Sequence, residues 1–499
     1  SQDLADQLVA LLQRGLSLTP APRDLSDEAQ AVLARIASLC RGDIATDMEG
    51  LCTAVENLHL SSVRQTAAAG AESYTKWLAG ATQSGMKPLY RAVKKDESVL
   101  SRPFESLPLG PRMQAKREQW VEIWGHTDTP ARPVLGLACS PVAPLSIVGV
   151  PPDALERYAL IALAEQQRAP PVRADTLRRA VRSKVSKAGG LDGLSYDAMK
   201  ALPVEAYEAL VHLMHQAESE LQLPGQWRLQ HVSLLPKKPS IERPISLTSV
   251  AYRLWGFARR PQVLSWQADL AGTNWWDRAL PGKNCMDVAL LRLARAEVAG
   301  HTSRHHVAIL LDLECFFDCV NWARLLEQAA AIRFPMTIAL LAVQAYGGGR
   351  VLVSEQLATP LIRPVRGLLQ GCPHAPDLAR VALWDVLQAF SSTTGLSNLD
   401  AWFDDISCDY EGAHPARVAS HAVAGFRQLR KALEAEGHRL SAAKSGFVCS
   451  SAAVRREVNS RLRDDDPQAR TVMRDLGLDT SGGRVRRVAQ QKARLAKAS

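Results

Sequence analysis

The stretch "LDAWFDDIS", Leu399 to Ser407, sets two adjacent carboxylates, Asp404 and Asp405, inside a run of large apolar and aromatic residues. A third carboxylate, Asp312, ends another apolar run, "HHVAILLD". An Asp pair alone is ordinary turn chemistry, because its side chains bond nearby backbone amides. Asp312 alone could close a strand or cap a helix. Brought together at an apolar edge, several anions repel one another and lose hydration unless a cation joins them. Hard divalent ions such as Mg²⁺ take oxygen ligands, usually one or two protein carboxylates plus substrate phosphates. Two such ions about 3.5–4 Å apart can hold the attacking and leaving oxygens of an in-line phosphoryl displacement. That chemistry also needs positive side chains on the phosphates. "LLPKKPSIERPISL" supplies Lys237, Lys238 and Arg243, with a solvated basic hairpin as the plainer alternative.

A few elements must position these groups. "HHVAILLDLECFF" reads as a buried strand from about Val307 to Leu313, a short run apolar on both faces that delivers Asp312 at its far end. "LDAWFDDISCDY" alternates in strand fashion about its Asp pair, and the basic segment reads as two short strands joined by a turn at Pro239-Ser240. Helical segments lie between: "ARLLEQAAAIRFPMTIALLAVQAY", interrupted at Pro335, "DLARVALWDVLQAF" after the loop "GLLQGCPHAP", and "HAVAGFRQLRKALEAEG", stopped by Gly437. This mixture implies an α+β fold, a sheet layered on helices. Upstream, "DLADQLVALLQRG", "SDEAQAVLARIASLC" and "MQAKREQWVEIW" have helical spacing, so residues 1–128 are expected to be a helical region whose role is not assigned. Residues 129–152 hold six prolines and are expected to be a linker.

At 499 residues, the chain has room for about three domains of ordinary size. Hydrophobic residues at 46% and charged residues at 22% fit a globular protein rather than a disordered one. Nine cysteines without a CxxC pair suit free thiols in a reducing compartment and argue against a zinc knuckle or a disulfide scaffold. No run of 18 uncharged apolar residues and no secretory start is present, so the expectation is a soluble intracellular protein, nuclear or cytoplasmic, with no membrane partner. A start at Ser1 rather than Met suggests a fragment. The net charge of +9 tilts toward a polyanionic partner, and the tail "RVRRVAQQKARLAKAS" is basic with no acidic residue.

In this order the segments resemble the sequence blocks of reverse transcriptases, most closely those of non-LTR (LINE-type) retrotransposons, from about Thr176 to Leu478. "KAGGLDGLSYDAMKALP" is similar to the opening block, and "LPGQWRLQHVSLLPKKPSIERPISLTSVAYRL" to the fingers block. The resemblance implies that Lys237 and Arg243 contact the incoming nucleotide, with Lys238 as a substitute. "LLDLECFFDCVNW" resembles the first catalytic block. It makes Asp312 a metal ligand, the backbone at Leu313 a second contact, and Phe317 the aromatic that excludes a 2′-hydroxyl, with core packing as the alternative. "GLLQGCPHAP" resembles the Gln-Gly loop, which implies nucleotide and template contacts for Gln370, Gly371 and Pro373. "WFDD" stands where the family usually has Tyr-x-Asp-Asp, making Asp404 the second metal ligand with Asp405 beside it; Trp402 and Phe403 depart from the pattern. "GHRLSAAKSGFV" implies Lys444 as the proton donor to pyrophosphate, against a plain surface lysine, and "MRDLGLD" resembles the turn that grips the primer.

The implied fold is the right-hand polymerase, with fingers and palm over 153–450 and the start of a thumb and a basic tail over 451–499. The implied activity is RNA-directed DNA polymerisation by two-metal phosphoryl transfer, using Mg²⁺ (two ions, with Mn²⁺ able to substitute), an RNA template, a DNA primer and dNTPs. The alternative is a decayed or domesticated copy that binds nucleic acid without catalysis. The sequence leaves the oligomeric state open.

Overall fold

The computed structural model describes residues 101–127, 146–184, 188–270, 272–354, 357–475 and 478–481, together with two isolated positions nearer the start. The expected helix at "DLADQLVALLQRG", all of "SDEAQAVLARIASLC" but Ala31, most of the proline-rich linker, and the basic tail lie outside the described residues. All the elements below belong to one compact unit, residues 100–499.

Strands run as β1 (Gln230–Lys238), β2 (Ile241–Leu247), β3 (His305–Asp312), β4 (Arg350–Ser354), β5 (Leu357–Ala358), β6 (Leu396–Trp402), β7 (Asp405–Gly412), β8 (Gly446–Cys449), β9 (Ala469–Arg470), β10 (Val472–Asp475) and β11 (Leu478–Ser481). They form three sheets, in the orders β2-β1-β4-β5, β6-β7-β3-β8-β9 and β10-β11. Helices interleave with the strands, so the α+β class read from the sequence holds.

The five-stranded sheet is built around β3, antiparallel to β7 on one side and to β8 on the other. Val307, Ile309 and Leu311 face the main core, while Ala308 and Leu310 pack with Val448 and Met473 on the opposite face. Burial of both faces is why the strand reads as a continuous apolar run rather than an alternating one. It starts earlier than the apolar residues suggest because the β7 ladder continues past them, pairing His306 with Glu411 and His305 with Gly412. Over the main-core face lies the helix Pro415–Ala435, whose Ala422, Phe426, Leu429 and Leu433 repeat at helical spacing and are buried. The apolar segment split at Pro335 forms two helices, Trp322–Ala331 and Met336–Gly347, and the second is almost wholly buried. The helix Ala375–Phe390 completes this layer.

The basic segment forms the hairpin β1–β2, turning at Pro239-Ser240 as expected, with Ser240 at φ +56°. The helix Leu109–Trp124 packs on this smaller sheet through Met113, Trp120 and Trp124, which join Val232, Leu234, Leu352 and Ile362 in a second apolar cluster. Among the described residues no helix is long and apolar enough to cross a membrane.

Candidate active site

The antiparallel register of β3 and β7 sets Asp312 opposite Asp405. The register of β6 and β7 pairs Trp402 with Asp405, leaving Phe403 and Asp404 as the two residues of the turn. Two-residue hairpins favour positive φ at the first turn position, which usually calls for glycine. Phe403 occupies it at φ +55°. Such a conformation in a bulky residue costs on the order of 1–3 kcal/mol and persists only where neighbours hold it. Here the Arg380 guanidinium lies over the Phe403 ring at 5.9 Å and the Trp402 ring stands edge-on at 6.2 Å. Arg380 is itself fixed by Asp277, by Asp377 and by the carbonyl of Ala279. The departures from the family pattern at Trp402 and Phe403 thus form a packed support for the turn.

Asp312 is held from the 441–445 segment. Its backbone amide donates to Ser445 Oγ, its carbonyl accepts from the Ser441 amide, and Lys444 Nζ sits 2.6 Å from its carboxylate. Leu313 forms an isolated bridge with Leu440, and the flanking hydrogen bonds are made by Glu314 and by the Asp312 carbonyl, so the Leu313 carbonyl is outside that ladder.

The electrostatics of the two turn carboxylates differ from those of their neighbours. The same hairpin carries buried Asp400 and Asp409, and both are paired: Asp400 with Arg278 at 2.6 Å and Arg295 at 2.9 Å, Asp409 with Arg295 at 2.8 Å. Among the described residues, Asp404 and Asp405 have no ion pair. Burial, with the repulsion of Asp312, raises the Asp404 carboxyl above its ordinary value. Loss of water at the crowded site, with the repulsion of Asp404 and Asp312, pushes Asp405 up to about 6. The fold therefore compensates its other acids on this hairpin and leaves these two short of positive charge.

Cations reach this neighbourhood from the basic hairpin and from Lys444. Lys237 and Arg243 both act electrostatically on Asp404. Burial and the neighbouring Arg243 and Lys444 hold the Lys237 ammonium below its ordinary range. The side chain of Lys238 lies outside the described residues. Asp312, Asp404, Asp405, Lys237, Arg243 and Lys444 thus share one electrostatic neighbourhood, drawn from the β1–β2 hairpin, the end of β3, the β6–β7 turn with the start of β7, and the segment before β8.

Phe317 and the Gln-Gly loop form a second group beside it. Leu368 N donates to the Phe317 carbonyl at 2.6 Å, and Gln370 Nε2 donates to Asp318 Oδ2 at 3.1 Å. The Gln370 carbonyl accepts from Ser246 N on β2 at 2.7 Å. Phe317 is half-buried, with its ring 5.5 Å from that of Phe316. Gly371 lies at φ +122°, and a Cβ there would come 2.3 Å from the Ser246 carbonyl oxygen, so only glycine fits. Pro373 packs instead against Gly256. Sequence reasoning missed Asp318, whose carboxylate accepts from both Gln370 Nε2 and Trp124 Nε1; its signal was a carboxylate six residues after Asp312 within "LECFFDC".

A hard divalent cation fits this donor set: three carboxylates at adjoining strand ends, two of them in no ion pair among the described residues. Among the described residues no three His, Cys, Asp or Glu side chains already enclose a common point, and Asp312 is engaged by Lys444.

Comparison with curated proteins gives no match. Among solved structures, an apo telomerase from Candida tropicalis, truncated from its C-terminal domain, is similar at 12% identity with a TM-score of 0.37, covering 52% of this chain. This chain spans 55% of that one. Residues 235–478, just under half of the chain, match the family model for reverse transcriptase (RNA-dependent DNA polymerase). The matched bounds enclose every site residue named above, from Lys237 to Lys444, and the mixed α+β fold fits a right-hand polymerase; together they support a reverse transcriptase domain in this segment.

Proposed function

We propose that the protein is an RNA-directed DNA polymerase of a non-LTR retrotransposon, extending a DNA primer on an RNA template inside the cell. The observation that carries this reading is the pairing of Asp312 with Asp405 across β3 and β7, with Asp404 in the adjoining turn and, among the described residues, no ion pair on Asp404 or Asp405.

In this reading Asp312, Asp404, Asp405 and the Leu313 carbonyl are the groups that would hold two Mg²⁺ ions. When bound, those ions supply Lewis-acid activation of the primer 3′-hydroxyl and neutralise charge on the triphosphate. Lys237 and Arg243 bind the phosphates of the incoming dNTP, replacing the water those oxyanions lose. Phe317 lies under the sugar and excludes a 2′-hydroxyl. Gln370 and Gly371 hold the nascent pair against the template. Lys444 Nζ gives its proton to the departing pyrophosphate.

The test is primer extension on an annealed RNA template with Mg²⁺ and dNTPs. The wild-type protein should extend. Asp404→Ala should lose about a thousandfold or more in rate, several kcal/mol of transition-state stabilisation. Template binding without extension by the wild-type protein would instead favour a non-catalytic nucleic-acid-binding copy.

A further inference from the structure

The helix Leu109–Trp124 lies upstream of the residues that match the polymerase family. Its buried residues, Met113, Lys116, Trp120 and Trp124, recur three and four apart and so share one face. Two polar groups on that face reach into substrate-handling segments. Lys116 Nζ, fully buried, lies 2.8 Å from Glu242 Oε1, and Glu242 precedes Arg243 on β2. Trp124 Nε1 donates to Asp318 Oδ1 at 2.8 Å, and Asp318 holds Gln370 Nε2 with its other oxygen.

The surroundings leave Asp318 little freedom. Its carboxylate is buried, with one donor on each oxygen. Behind it, Arg350 stands over the Trp124 ring at 4.3 Å from the centroid. The Gly367 amide donates to Val320 O, and Trp322 Nε1 to Gly367 O, so the Gln-Gly loop is sewn to the segment that carries Phe317 and Asp318. A side-chain amide has two ends of opposite polarity. With Nε2 committed to Asp318, Gln370 turns its acceptor, Oε1, away from Asp318. A donor removed from a buried carboxylate leaves that oxygen unsatisfied, and the network then relaxes as a unit.

We propose that Trp124 is a positioning residue of the polymerase site: through Asp318 it fixes the amide orientation of Gln370, while Lys116, through Glu242, steadies the strand that carries Arg243. The helix Leu109–Trp124 is then a working part of the domain, and it acts on nucleotide binding rather than on the carboxylates. This rests on the polymerase reading for its substrate, and on geometry alone for the coupling.

The test uses the full chain carrying Trp124→Phe, which keeps a ring and removes the N–H, and separately Asp318→Asn. Hydrogen exchange followed by mass spectrometry should show amides in 242–247 and 366–372 exchanging about tenfold faster, with 307–311 unchanged. In primer extension, KM for dNTP should rise about fivefold or more while kcat stays within about twofold, the split expected when ground-state binding is what weakens. Unchanged exchange in both variants overturns the proposal. So does uniform acceleration that includes 307–311, which would mark Trp124 as general core. A wild-type protein that does not extend primers defeats the polymerase reading, and the exchange data still decide the coupling.

Discussion

Replacing Gly371 by alanine tests how tightly the Gln-Gly loop must lie on the β1–β2 hairpin. The added Cβ would stand 2.3 Å from the Ser246 carbonyl oxygen, against 3.4 Å for ordinary contact, so the two must part by about 1.1 Å (3.4 − 2.3). A separation of that size breaks the 2.7 Å bond from Ser246 N to Gln370 O, worth about 1 kcal/mol. Alanine at φ +122° adds about 1–3 kcal/mol of backbone strain. The parting therefore costs about 2–4 kcal/mol of stability, and where the loop takes up the movement Gln370 shifts by about an ångström. Misplacement on that scale costs about a hundredfold in rate, or about 2.7 kcal/mol. Single-nucleotide extension alongside urea unfolding separates the two responses. The expected result is kcat/KM down about a hundredfold in a protein that still folds cooperatively. Gly149→Ala is the control, since Gly149 has φ +78° with open space around a Cβ, so it carries strain without collision. A folded Gly371→Ala protein with kcat/KM indistinguishable from wild type would refute the reasoning.

Phe317→Ala should admit ribonucleotides, read as the ratio of rNTP to dNTP incorporation; unchanged sugar selectivity would remove the gate role and leave Phe317 as packing. Arg259→Met strands Glu218, which is buried and also accepts from Trp255 Nε1 at 2.8 Å. It should cost about 3–5 kcal/mol by urea unfolding, and Arg259→Met combined with Glu218→Leu should recover much of that. His374 is buried with neither ring nitrogen hydrogen-bonded among the described residues, and burial pushes its pKa down to about 3, below the ordinary value of 6.5. The unfolded chain therefore binds the extra proton first. Stability from this group is whole above about pH 6.5 and is lost as the pH falls from there toward 3, at about 1.4 kcal/mol per unit. His374→Leu should flatten that limb in urea midpoints measured from pH 7 to pH 5, and an unaltered slope would assign the acid sensitivity elsewhere.

The parts of this site that were legible in the sequence are those whose local pattern is strong. The run ending at Asp312 is apolar on both faces because β3 is buried on both faces, and "WFDD" between alternating residues marks a hairpin turn. The basic hairpin showed itself through Pro239-Ser240, and the helix pair through Pro335. What stayed hidden depends on which distant segments meet. Nothing local to "MQAKREQWVEIW" says that Trp124 finds Asp318, 194 residues away, although the spacing of Lys116, Trp120 and Trp124 does mark one helix face. Asp318 could not be told from an exposed helix residue, and the pairing of Asp400 and Asp409 with arginines, which sets them apart from Asp404 and Asp405, is visible only once β6, β7 and the helix Cys285–His301 are in place.

The central claim is that Asp312 and Asp404 act on the same reacting atoms, and a double-variant measurement tests it most directly. Asp312→Asn, Asp404→Asn and the combined variant are compared in single-turnover extension, with circular dichroism to verify folding. Residues that act as a unit lose most of their effect with the first removal. The combined variant should therefore be about as slow as the slower single variant, each down about a thousandfold. Losses that multiply, or substantial extension in either single variant, would contradict a shared centre.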